Sequence, residues 1–130
     1  MSHYHCVAWV DHHEARIIQF NADKATRTVV RSRAAHLNLH RKHGAVGSGN
    51  VPEDTHYFKE IAGVLGKSQQ ILIVGPSAAK LALRDYLRRA EPVVASCVAG
   101  VEPADHPTDG ELLKFARHYF LPVDRMLSQS

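Results

Sequence analysis

Tyr4 to Val10 (YHCVAWV) becomes fully apolar after its first residues, and Ala15 to Phe20 (ARIIQF) is a second short apolar run. The polar stretch Asp11-His12-His13-Glu14 between them predicts a hairpin. Residues 21–25 (NADKA) turn the chain again, and Thr26 to Arg33 (TRTVVRSR) predicts a third strand, β-branched and basic. Three consecutive strands of this kind form an antiparallel meander. Beyond Pro52 the period changes. Pro52-Glu53-Asp54 suits a helix start, with proline near the first turn and acids at the positive end of the dipole. Tyr57, Phe58, Ile61, Ala62, Val64 and Leu65 follow at helical spacing until Gly66. Gln70 to Val74 (QILIV) predicts a strand buried on both faces. Ser77 is placed to cap a helix over Ala78 to Ala90, which Pro92 ends. Val93 to Val101 (VVASCVAGV) predicts the fifth strand. Thr108 and Glu111 form a T-x-x-E capping box opening a helix over Asp109 to Phe120, with Pro122 as its stop and residues 123–130 as a tail.

The predicted order is β-β-β-α-β-α-β-α. A meander followed by strand–helix alternation implies an α/β domain with a mixed sheet and helices packed on it. This is the element order of ribonuclease H-like domains. The chain of 130 residues is the size of one domain, taken here as 1–122. No apolar run approaches the roughly 20 residues that span a bilayer, and the N-terminal stretch lacks the features of a secretory signal, so a cytoplasmic location with no membrane partner is expected. Cys6 and Cys97 both fall in apolar runs. Free buried thiols suit a reducing compartment, and a disulfide between neighbouring strands stays open as an alternative.

Charge changes the picture more than composition does. The formal net charge is only +3. Yet no acid occurs between Asp23 and Glu53, where Lys24, Arg27, Arg31, Arg33, Arg41 and Lys42 lie; the rest of the chain carries 10 basic and 13 acidic residues. A basic segment on a slightly acidic body points to a polyanionic partner. Within it, residues 34–52 form a connection too long for an ordinary structureless loop, and such loops are usually functional or disordered. The stretch His36 to Asn50 (HLNLHRKHGAVGSGN) holds three histidines, an Arg-Lys pair and three glycines.

That stretch carries a resemblance. A basic strand, Lys42-His43-Gly44, a glycine-rich tip at Gly47-Ser48-Gly49-Asn50, a helix, and a strand ending in Gly75-Pro76-Ser77 resemble the middle domain of eukaryotic and archaeal class I peptide-release factors. The phrases WVDHHEARIIQF, ILIVGPSAAKL and GVEPADHPTDGELLKFARHYF are similar to small bacterial release-factor-like proteins of the translational machinery type. The likeness runs over roughly residues 5 to 120. It implies a ribonuclease H-like fold of the translational machinery components type, a place in translation, and the ribosome or structured RNA as partner. In the release factors the run leads into a Gly-Gly-Gln tip whose glutamine positions water. This sequence has no Gly-Gly-Gln, and Asn50 offers an amide on a shorter stem. The resemblance is therefore nearer to Pelota-like relatives, which also lack the glutamine and act in ribosome rescue.

On this reading Arg31, Arg33, His40, Arg41, Lys42 and His43 contact RNA phosphates, while Gly44, Gly47 and Gly49 allow close backbone approach. Ser48 and Asn50 are the candidates for a hydrolytic tip acting on peptidyl-tRNA. His36, His40 and His43 have the spacing of a helical metal site for zinc or copper. A two-metal nuclease would instead draw on Asp11, Glu14, Glu102, Asp105 and Asp109. Gly75-Pro76-Ser77 with Lys80 joins a strand to a helix start, a place where anions bind, though no nucleotide-binding glycine motif and no other cofactor signature is present. A module of metal binding or protein interaction outside translation is the third class. Trp9 is expected in the core.

Overall fold

The computed structural model describes residues 5–33 and 54–129, with side chains through Leu121. Strands β1 (His5–Val10), β2 (Glu14–Phe20) and β3 (Ala25–Arg31) form the meander. Helix α1 (Thr55–Leu65) precedes β4 (Gln70–Gly75), and α2 (Ala79–Ala90) and α3 (Pro92–Ala95) lead to β5 (Val98–Pro103). Helix α4 (Asp109–Gln129) closes the order. The five strands lie in one sheet in the order β3-β2-β1-β4-β5. β1 pairs antiparallel with β2 and parallel with β4, β2 pairs antiparallel with β3, and β4 pairs parallel with β5. Only β2 therefore runs against the rest.

Alternation along the strands builds two cores. Cys6, Ala8, Val10, Ala15, Ile17, Ile71 and Ile73 face one way, under Tyr57, Phe58, Ile61 and Leu65 of α1 and Leu83 and Leu87 of α2. Val7, Trp9, Ile18, Phe20, Leu72 and Val74 face the other way, under Leu112, Ala116 and Phe120 of α4. The central strands β1 and β4 are buried on both faces, so they read as continuous apolar runs rather than alternating ones. Truncating a fully buried leucine or isoleucine here to alanine costs about 2–5 kcal/mol. Gly75 ends β4 where an added Cβ would lie 2.2 Å from the Val10 carbonyl oxygen, so the close approach of β4 to the end of β1 requires glycine.

Three expectations change. Val93 to Val101 is not one strand. Pro92 opens the short helix α3 instead of only ending α2, because its fixed φ and missing N–H suit a first helical position. The turn then closes through Ser96 N–H to Pro92 O at 3.0 Å and Ser96 Oγ to Val93 O at 2.6 Å, and pairing starts at Val98. Pro122 does not stop the last helix, whose backbone continues to Gln129. A proline deletes one donor, but VDRMLSQ after it contains no further proline or glycine and is dominated by residues that tolerate a helix. Ser77 is not the N-cap of α2. That position is Ala78, without a side-chain cap, and Ser77 Oγ only reaches the Ala79 N–H at 3.4 Å.

The capping box holds: Glu111 N–H donates to Thr108 Oγ1 at 3.1 Å and Thr108 N–H to Glu111 Oε1 at 2.8 Å. Both cysteines are free, Cys6 buried in β1 and Cys97 half-buried just before β5. No helix among the described residues is long and apolar enough to cross a membrane.

Candidate functional site

The basic connection leaves the sheet after β3 and returns at α1, and its two ends meet. Ser32 N–H donates to His13 O at 2.8 Å, which ties the exit to the β1–β2 turn. The Ser32 hydroxyl donates to Asp54 Oδ2. Asp54 is the N-cap of α1, and its Oδ1 accepts the Tyr57 N–H at 3.1 Å. Tyr57, buried in the core, donates its hydroxyl to Asp11 O at 3.0 Å. Asp11 organises the turn itself, with Oδ1 accepting the N–H groups of His13 and Glu14 at 2.8 Å each. Ser32, Asp54, Tyr57 and Asp11 thus make one polar clamp at the end of the sheet where β1 and β3 finish. Burial, reinforced by the nearby carboxylates of Asp11, Glu14 and Asp54, pushes the Tyr57 phenol far above its usual range. It stays a proton donor at every physiological pH, and the clamp keeps its polarity.

Of the residues expected to contact RNA, the structure places Arg31 and Arg33. Both are exposed at the exit of β3. His40, Arg41, Lys42, His43, Gly44, Gly47 and Gly49 lie outside the described residues, as do the tip candidates Ser48 and Asn50 and the metal candidate His36. His12 and His13 sit exposed in the β1–β2 turn, beside the clamp.

Three of the acids considered for metal chemistry, Asp11, Asp105 and Asp109, have other partners. Asp11 is occupied by the turn. Asp109 Oδ1 binds Arg16 at 2.9 Å and Oδ2 binds Arg27 at 2.5 Å. Asp105 Oδ1 lies 3.0 Å from His106 Nδ1. Among the described residues no three His, Cys, Asp or Glu side chains are grouped to hold a metal ion. Lys80 Nζ turns back on Ser77 O at 2.7 Å, closing the strand–helix junction on itself. Trp9 is core, as expected, but it also donates its indole N–H to Asp105 O at 2.7 Å and takes the Arg16 guanidinium over its ring at 4.6 Å.

Sequence reasoning placed Asp54 at a helix start and Tyr57 in an apolar stripe. It missed that the two join Ser32. The available signal was a serine and an N-capping aspartate flanking one long insertion, a pair able to bond each other if the insertion's ends meet.

No family model matches the chain, and no curated protein sequence matches it. Solved structures do. Pelota from Archaeoglobus fulgidus superposes with a TM-score of 0.61 at 13% identity, over 88% of this chain and 30% of that one. Pelota from Thermoplasma acidophilum gives 0.60 at 23% identity, over 88% and 32%. The archaeal translation termination factor aRF1 gives 0.55 at 10% identity, over 95% and 39%. The chain thus spans about a third of the length of each protein it matches. At these identities the likeness is one of fold: this chain has the mixed five-stranded α/β fold of a domain found within Pelota and the archaeal termination factor.

Proposed function

We propose that the chain is a ribosome- or RNA-associated translation factor of the rescue or hibernation kind, which binds through the basic segment 34–52 without reading codons. The observation that carries this is the clamp. It fixes both ends of an acid-free, arginine- and glycine-bearing segment to one point on a rigid sheet, with Arg31 and Arg33 at its root. A segment anchored at both ends on a rigid base lends itself to binding, and clustered cations beside glycines suit phosphate contacts that fix position without reading sequence. The fold shared with Pelota and a termination factor supports translation as the setting. We further read the sheet as ribonuclease H-like, since β3-β2-β1-β4-β5 with only β2 reversed fits that topology.

The test is co-sedimentation with purified ribosomes across a salt series, comparing wild type with Arg41→Ala/Lys42→Ala. Saturable binding that weakens with salt and fails in the double variant is expected. No binding by the wild type at low salt would overturn the proposal.

A further inference from the structure

Helix α4 covers only part of its side of the sheet. Its apolar residues pack on β1, β4 and the Ile18 and Phe20 positions of β2. On the opposite side, α1 lies over β2 and β3. Among the described residues, no helix therefore packs on the outer part of the α4 side. Register places Arg27, Val29 and Arg31 of β3 beside Ile18, Arg16 and Glu14 of β2 on that surface. Arg27 and Arg31 are exposed and Val29 is half-buried between them.

The charges on this surface are unbalanced. Asp109 is bound by both Arg16 and Arg27, so one carboxylate meets two guanidinium groups. Glu14 is the register partner of Arg31, but no ion pair among the described residues joins them. Arg27 and Arg31 are four residues apart on one strand, roughly 13 Å at strand rise. The row leads straight to Ser32, Arg33 and the clamped root of the 34–52 segment. Guanidinium forks match phosphate oxygens in pairs, and Arg27 and Arg31 are both exposed to meet a nucleic-acid backbone.

We propose that the Arg27–Arg31 surface of β3 is a second phosphate-binding site, which continues the RNA contact of residues 34–52 along the edge of the sheet. This rests on the translation reading above. Arginines on an edge strand also guard it against pairing with other chains, so the experiment separates the two roles.

Ribosome affinity is measured against salt concentration for wild type, Arg27→Ala/Arg31→Ala, Arg27→Lys/Arg31→Lys and Arg41→Ala/Lys42→Ala. Each lost phosphate contact lowers the log–log salt slope by about 0.7–0.9, so the alanine pair on β3 is expected to lower it by roughly 1.4–1.8. The lysine pair, which keeps the charge and the fold, should retain the wild-type slope. A wild type that binds, with an alanine pair of unchanged slope, overturns the second site and the assignment of Arg31 to RNA contact, and leaves binding through residues 34–52 standing. Aggregation of the alanine pair with that same unchanged slope assigns the arginines to edge protection. Absence of wild-type binding at low salt overturns both proposals together.

Discussion

The Ser32 hydroxyl and the Asp54 carboxylate are hydrogen-bonded across 22 positions of sequence. Everything between them is the basic segment, so this one contact closes its base. Asp54 also caps α1 through the Tyr57 N–H. Asp54→Ala removes both interactions and should cost about 1–2 kcal/mol, the range of a lost N-cap. Ser32→Ala leaves the cap and should cost about 0.5–1.5 kcal/mol, the net worth of one hydrogen bond. Urea unfolding of the two variants checks the order. Loss of ribosome affinity in Ser32→Ala, with the fold intact, is the further expectation if the clamp positions the segment.

Gly75 and Gly63 should respond to alanine in opposite ways. A Cβ at Gly75 would sit 2.2 Å from the Val10 carbonyl oxygen, a backbone atom that cannot turn aside. Forcing β4 away from β1 there should destabilise by about 1–3 kcal/mol or more. Gly63 lies inside α1 with nothing within 4 Å of the added carbon. Alanine there should stabilise by about 0.5–1 kcal/mol through helix propensity. Thermal melts of Gly75→Ala and Gly63→Ala should move in opposite directions.

The elements legible in the sequence were those where one signal dominates. The apolar run of β4, the helical stripe of α1 and the Thr108–Glu111 box each state their structure locally, and each is found. Val93 and Val94 misled because β-branched residues favour strands, while Pro92 just before them fixes a helical first turn. Of the site, the charge asymmetry was visible and the clamp was not. Ser32 and Asp54 are ordinary polar residues until the fold brings together positions on either side of a long insertion. The Arg16–Asp109–Arg27 contact is of the same kind, since its partners lie in β2, β3 and α4. Local patterns carry secondary structure, whereas tertiary pairing of single polar residues leaves no periodic trace.

The two thiols should differ sharply in reactivity. Burial pushes the Cys6 thiol up to about 12, against a smaller opposing effect of the nearby Ser68 side chain. A thiol attacks as its thiolate, so Cys6 should stay unlabelled by an aromatic disulfide reagent at about pH 8. Cys97 is half-buried just outside β5 and should be modified first. One thiol is expected to react in native protein and two in denaturant. Equal, fast labelling of both in the native state would show that β1 is not buried as described.

Acid should loosen the start of α4. The Glu111 carboxylate accepts the Thr108 backbone N–H and lies beside the Thr108 hydroxyl, and this holds its pKa below the ordinary glutamate value. A carboxyl that is more acidic in the folded chain stabilises the fold at pH above its unfolded pKa, and that contribution fades as pH falls through the folded value. The affected window therefore lies below about pH 4.3, the ordinary glutamate value, and neutral-pH stability is untouched by titration of this group. Glu111→Gln removes the charge while keeping an acceptor for the Thr108 N–H. It should flatten this part of the acid dependence. Glu111→Ala removes both and should fray the first turn at all pH values. Carbon-detected titration of the side-chain carboxyl, with amide exchange at Glu111 and Leu112, reads both effects. A Glu111 midpoint at or above about 4.3, the ordinary glutamate value, would mean that the reciprocal bonds with Thr108 do not persist in solution.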